Sequence, residues 1–314
     1  GTTYTRIFLL FAPLFMLNYI FNAFVRNDGN PSLAMTATLS SSLFNIVFDY
    51  VLMFPLKMGM PGAALATAFS PVVGIGICCT HLFSKKNTVR FVWKCPSVKR
   101  LVQSCQLGVA AFVGEMSSGV ITMVFNMLIL GLAGSVGVAA YGIVANLSIV
   151  GMCIFNGLAQ GAQPLISESF GRGESEHVRK YLRWGMNSTI TIEIVMIALI
   201  WLFTDPLVVI FNSENNAMLL QYAHTGLQLY FLGFLFAGVN IMLVAYFSAT
   251  ANARPAIIGS LMRGAIAIVL CAIVLSRILG MNGVWLSFLA SEMLTFVVIL
   301  ILSRKKESVS NDYI

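Results

Sequence analysis

Long apolar runs, broken by short polar connections, account for most of the chain. Nine can be drawn, at about residues 4–25, 33–56, 60–83, 105–131, 137–165, 185–204, 225–248, 256–278 and 282–303. At about 1.5 Å of rise per residue, roughly 20 residues cross a bilayer core, and each run meets or approaches that length. Lipid offers the backbone no hydrogen bonds, so the runs are predicted to be helices. The fold class expected is all-α, a polytopic membrane protein. The longest connection, Ser84 to Ser104, is basic, contains Trp93, and reads as an interfacial linker. Gly171 to Arg183, GRGESEHVRKYLR, carries mixed charge and reads as a cytoplasmic amphipathic helix. Pro13, Pro71 and Pro164 are expected to interrupt helices one, three and five.

Polar positions inside these runs carry the chemistry. Glu115 lies well within the fourth run, where a carboxylate costs about 3 kcal/mol on insertion scales and is by default a candidate site. At 100° per residue Ser118, Thr122 and Asn126 fall on its side of the helix, beside Gly119. The hydroxyls and amide could equally satisfy neighbouring helices. Asp49 repeats the device in the second run, with Asn45, Ser42 and Thr38 on its face. Glu193, near Thr189 and Asn187, could snorkel to the interface or accept hydrogen bonds from a neighbouring helix. Arg263 in the eighth run and Glu292 in the ninth are paired as a structural ion pair, because lone charges are rare in lipid.

The chain also repeats. KMGMPGAALAT (57–67) and RILGMNGVWLS (277–287) align Gly59 and Gly62 with Gly280 and Gly283, and each follows a helix preceded by a proline-bearing turn, with Pro31 or Pro255. Helices one to three thus resemble helices seven to nine in order and orientation. Such parallel repeats are a transporter arrangement with the substrate path between halves. Asp49 aligns with Leu270, so the acid belongs to one half only.

Composition agrees with a membrane protein: of 314 residues 58% are hydrophobic and 10% charged, and mean hydropathy is +0.86. The net charge of +7 reflects basic clusters between apolar runs, and no nucleic-acid surface is expected. Fifteen Lys and Arg lie in one alternate set of connections, against Lys57 and Arg277 in the other. The positive-inside rule makes the first set cytoplasmic, with the C-terminal tail inside. An odd helix count then puts the start of the chain outside, and an upstream loss of helices is the expected reason. The six cysteines have no metal-ligand spacing and read as reduced packing residues. His81, His177 and His224 sit at helix ends, and no HExxH or GxSxG motif appears, so an enzyme is not expected.

Three stretches, 30–70, 108–148 and 155–174, resemble the multidrug and toxic compound extrusion (MATE) transporters, and the last is most similar to the branch containing staphylococcal exporters and DNA-damage-inducible homologues. The resemblance implies two lobes of six helices, this chain beginning at the family's fourth. Residues 1–84 would be the last three helices of the first lobe, 85–104 a cytoplasmic linker, 105–306 a complete second lobe and 307–314 a cytoplasmic tail. It implies a bacterial plasma-membrane antiporter, monomeric at full length, that exchanges small organic, often cationic, compounds for Na⁺ or H⁺ and needs no other cofactor. Glu115 then matches the seventh-helix glutamate of cation coupling, with Na⁺ a candidate metal there, and Asn45 and Asp49 match the fifth-helix Asn-to-Asp stretch. At the tenth helix, where part of the family has an acid, this chain offers Asn240. With Ser118, Thr122, Asn126 and Asn45 it completes the expected pathway. The alternative is a lipid-linked oligosaccharide flippase of related architecture, which needs a basic central cavity.

Overall fold

The computed structural model describes residues 2–84, 87–88, 97–212 and 216–311, without the side chains of 2–4, 107, 110, 111, 113, 114, 117, 118, 265 and 303–311. Most of the linker expected at 85–104, and the end of the tail, lie outside the described residues. Among those described there is no strand. Eleven α-helices follow one another: α1 (Thr2–Asn27), α2 (Pro31–Met53), α3 (Gly59–Cys79), α4 (Val98–Gly171), α5 (Ser175–Leu202), α6 (Thr204–Phe211), α7 (Ala217–Phe231), α8 (Phe234–Ala249), α9 (Ala253–Leu261), α10 (Ala267–Leu279) and α11 (Met281–Asn311). They fall into two compact units, residues 1–95 and 96–314.

All nine apolar runs lie on helices, but the punctuation differs from expectation. Among the described residues six helical stretches are long and apolar enough to cross a membrane, and α7 with α8, bent by 45°, makes a seventh if the pair is taken as one span. α2 is not among them, since its 23 residues include four serines, two threonines, Asn45 and Asp49. α4 holds two of the predicted runs, divided at Gly134, whose φ of 62° and ψ of −157° are not helical. Pro13, Pro71 and Pro164 all sit inside continuous helices. The break at Gly134 falls between the fourth and fifth runs as drawn, and two unforeseen breaks fall at the Leu232–Gly233 joint and at a π-helical turn, Met262–Ile266, between α9 and α10. No separate amphipathic helix exists at 171–183: a three-residue turn leads straight into α5, whose first turns carry the charges.

Local chemistry explains the starts. Asn30 caps α2 by accepting the Leu33 N–H at 3.4 Å, with Pro31 at the first helical position, where its missing N–H costs nothing. Asn216 caps α7 through the N–H groups of Met218 and Leu219 at 3.0 and 3.2 Å.

The repeated glycines have the same geometry in both copies. Gly59 and Gly280 have φ of 57° and 59°, on the left-handed side that L side chains avoid. Three residues on, a Cβ at Gly62 would lie 3.0 Å from the Leu52 carbonyl oxygen, and one at Gly283 1.9 Å from that of Leu275. Gly134, at φ 62°, and Gly137, where a Cβ would meet Ala133 at 2.5 Å, form a third copy that the sequence reading missed. Each turn reverses the chain between two helices. The copies are not identical: five residues, Phe54 to Met58, separate α2 from α3, whereas Gly280 alone separates α10 from α11.

The core of unit 2 is aromatic. Tyr230 and Phe288 stack at 4.4 Å, Phe231 and Phe234 at 5.0 Å, Phe125 and Tyr141 at 5.4 Å, and Trp285 is fully buried against Tyr141. Gly226 and Gly233 admit Trp285 and Phe288 to their backbones. Unit 1 is held differently, by a ladder of polar pairs between helices: Asn22 to Thr38 at 2.9 Å, Ser41 to the Ser70 carbonyl at 2.6 Å, and Asn45 to Thr67 at 3.4 Å.

Gly280→Ala should therefore lower stability by about 1–3 kcal/mol through backbone strain, and Gly283→Ala should lower it further by pressing on main chain. Gly76→Ala, in mid-helix with nothing within 4 Å, should not. Thermal unfolding in detergent micelles checks the order.

Candidate functional site

Two acidic centres lie within the helices, one in each unit. In unit 1, Asp49 stands one turn beyond Asn45 on α2. Its Oδ1 is buried and has no hydrogen-bond donor among the described residues. Asn45 reaches across to the Thr67 hydroxyl on α3, which itself donates to the Ala63 carbonyl at 3.0 Å. A carboxylate oxygen, an amide and a hydroxyl thus stand within two turns of one another, as hard-oxygen ligands suited to Na⁺ or a proton. Leu270, the aligned position in unit 2, is exposed.

In unit 2 the structure brings Arg263, Glu292 and Asn240 together. Arg263, presented by the π-helical turn, donates from Nε to Glu292 Oε1 at 2.9 Å, and its Nη2 lies 3.3 Å from the Met152 sulfur. The Asn240 amide nitrogen donates to Glu292 Oε2 at 2.7 Å and to the Glu292 carbonyl at 2.9 Å. Asn240 and Glu292 are 0% and 1% exposed.

Glu115 is placed differently. It is exposed on the first half of α4 and has no hydrogen-bond or ion-pair partner among the described residues. Of its stripe, the Ser118 side chain lies outside the described residues. Thr122 is exposed and hydrogen-bonds Tyr141. Asn126 is half-buried at the edge of an open groove of ≈ 270 Å³, shared with Met127, Leu130, Ser135 and Val138. No group of three or more His, Cys, Asp or Glu that could hold a metal occurs among the described residues.

Sequence reasoning missed a polar cluster at the other end of unit 1. His81 Nε2 is 2.8 Å from Asp28 Oδ2, and the Asn30 amide nitrogen is 3.3 Å from its Nδ1. The Thr88 N–H donates to Asp28 Oδ2 at 2.9 Å and its hydroxyl donates to Oδ1. These bonds, the Thr88 hydroxyl first, then its N–H, then His81, hold the Asp28 carboxyl down at about 2. A histidine noted only as lying near a helix end was the available signal.

Comparison with known proteins follows this geometry. The profile of the family described as MatE matches residues 1–51 and 110–273, which include Asp49, Glu115, Glu193, Asn240 and Arg263. The chain belongs to the MatE family. Among its curated relatives, the multidrug export protein MepA of Staphylococcus haemolyticus is 31% identical over 309 residues, covering 92% of this chain and 63% of the relative. MepA of Staphylococcus saprophyticus is 27% identical over 293 residues, covering 93% and 64%. The chain therefore spans a little under two thirds of the curated MatE relatives it matches. Two solved structures share its fold: a MATE in complex with MaL6, at TM-score 0.91 and 23% identity, and an outward-facing multidrug resistance MATE transporter of the MOP superfamily, at TM-score 0.90 and 22% identity. Each covers 99% of this chain, which covers 70% of each. As in its family, the protein is a multi-pass membrane protein of helices.

Two measurements check the electrostatics. Because Asp28 titrates below the ordinary carboxylate value of about 3.9, the native state binds fewer protons than the unfolded one in this range. Its stabilising contribution is complete above about pH 4 and lost as pH falls through about 2. Thr88→Val should raise the Asp28 midpoint in a carbon-detected NMR titration. Arg263→Met should destabilise unit 2 by about 3–5 kcal/mol, by leaving Glu292 without its cation, and Arg263→Met with Glu292→Gln should recover much of that loss. A double-mutant cycle of unfolding free energies reads the coupling.

Proposed function

We propose that this chain works as, or within, a secondary antiporter that exports organic, often cationic, compounds in exchange for Na⁺ or H⁺. The observation that carries the reading is the buried, donorless oxygen of Asp49 beside the Asn45–Thr67 pair. An ionised carboxylate in that setting is stabilised by an arriving cation or neutralised by a proton, so its occupancy differs in energy between open and closed surroundings. A ligand shifts such an equilibrium only by its differential affinity, and full reversal needs about 5.5 kcal/mol. Glu115 takes the same role from unit 2, with Thr122, Asn126 and Ser118 along its side of α4 as pathway residues. Exported, often cationic, drugs, a bacterial plasma-membrane location, a cytoplasmic C-terminus and a monomeric carrier complete the proposal; the names of the MepA relatives support its multidrug export alone.

The lipid flippase reading needs an uncommitted basic group in the central cavity. Arg263 is the basic residue set furthest into a helix of unit 2, and Glu292 holds it at 2.9 Å. This favours the antiporter.

Asp49→Asn and Glu115→Gln should each abolish accumulation of a fluorescent cation driven by an imposed Na⁺ or H⁺ gradient in proteoliposomes, while leaving the fold intact by circular dichroism. Undiminished gradient-driven transport by Asp49→Asn would overturn the assignment, and flipping of a labelled lipid without dye export would favour the flippase.

A further inference from the structure

The polar cluster at the α1–α2 turn has no part in the antiporter reading, and its hydrogen bonds fix where one proton sits. Asn30 caps α2 with its side-chain oxygen, which accepts the Leu33 N–H at 3.4 Å. A main-chain N–H can only donate, so the helix itself settles which way this amide points. The amide nitrogen then faces His81 Nδ1 at 3.3 Å, and because it too can only donate, Nδ1 accepts. His81 is thereby a neutral imidazole with its hydrogen on Nε2, which donates to Asp28 Oδ2 at 2.8 Å.

Neither bond is easily traded for one to water. The ring is presented by the 3₁₀ turn Thr80–Phe83 that follows α3, and its side chain is 3% exposed. The cap matters as much to α2. Pro31 has no N–H, and the Ala34 N–H reaches the Asn30 carbonyl at 3.3 Å, so Ser32 and Leu33 carry the first-turn donors that the helix cannot serve itself.

A second proton on His81 goes to Nδ1, the nitrogen the Asn30 amide already occupies, and sets donor against donor. If the amide turns over to offer its oxygen to the imidazolium, the Leu33 N–H faces an NH₂ group. If it stays, the new N–H has no acceptor there. The imidazolium and the α2 cap therefore exclude one another. Asp28 favours the imidazolium, and the Thr88 N–H and hydroxyl hold that carboxylate in place in either state. The other charged and titratable side chains about the cluster are Arg26, in the last turn of α1, and Cys78 and Cys79, in the last turn of α3.

We infer that His81 is a proton-operated release for the N-terminus of α2: protonation at Nδ1 exchanges the Asn30 cap for a charged pair with Asp28 and frees the first turn of the helix that carries Asn45 and Asp49. The proton comes from and returns to water at the turn, where Asn27 and Gly29 are exposed. Its use in transport rests on the antiporter reading, whereas the exchange of proton for cap does not.

The test uses the purified chain in lipid nanodiscs, without transport, carrying His177→Gln and His224→Gln so that His81 is the one histidine. Nitrogen NMR of ¹⁵N-histidine reads its tautomer and charge, and amide exchange, corrected for intrinsic rate, reads Leu33 from about pH 8 to about pH 5. The expected result is a neutral ring with its hydrogen on Nε2 at the upper end. As Nδ1 gains its proton, Leu33 protection should fall in step by roughly fivefold, the size of a lost cap. Asn30→Asp keeps a capping oxygen and adds one that accepts from the imidazolium, so Leu33 protection should no longer follow His81. Should that variant fail to fold, Asn30→Ser, which caps without an amide nitrogen, replaces it with the same expectation. A neutral ring with its hydrogen on Nδ1, a ring that never gains its second proton, or Leu33 protection that ignores His81 in the chain with Asn30 would each overturn the inference, even with export intact. The linked titration in a chain that exports nothing would sink the antiporter reading alone.

Discussion

A carboxylate taken out of water must be met by a donor, a cation or a proton, and the interior of this chain is arranged around that demand. Each buried acid is answered in its own way. Glu292 is met by a guanidinium and an amide, Glu193 by two main-chain N–H groups, and Asp49, on one of its oxygens, by nothing among the described residues. Read in that order, the answers run from permanent to absent, and the capacity to exchange a passing charge rises as they weaken.

The two units reach stability by different means. Unit 2 packs rings on rings, with glycines at 226 and 233 cut to fit them. Unit 1 joins its three helices through side-chain hydrogen bonds at Asn22, Ser41 and Asn45. Polar joints tolerate water and rearrangement better than interlocked rings, which suits the ion exchange proposed for Asp49.

Much of this was legible in the residues. Apolar length located nine helical runs, because hydrocarbon leaves the backbone no other choice, but it passed over the short α6, Thr204–Phe211. The shared offset of Gly59 and Gly62 with Gly280 and Gly283 foretold matched turns, since positive φ and close approach both select glycine. Arg263 and Glu292 were paired from scarcity of charge alone. What stayed hidden has a common cause, namely partners without a residue identity. Nothing in the side-chain pattern says that Glu193 rests on the N–H groups of 238 and 239, because every residue but proline has one. The prolines misled for the complementary reason: the carbonyl a proline frees inside a membrane helix can be tolerated without a break. A turn between 131 and 137 was drawn from the lapse in apolarity, but the kinship of Gly134 and Gly137 with the other two glycine pairs escaped notice. The exposure of Glu115 could not be read from helical angle, which orders residues around an axis but does not say what the axis lies against.

The π-helical turn at 262–266 places Arg263 by carrying one residue more than a regular helix would need over the same rise. That surplus is a register shift held in reserve. Loss of a single residue there would heal the helix into ordinary geometry, and because each residue turns the axis by about 100°, it would swing the guanidinium away from Glu292 while leaving α9 and α10 whole. In this segment a deletion would be gentle to the scaffold and severe to its wiring, the reverse of what indels usually do to a buried helix.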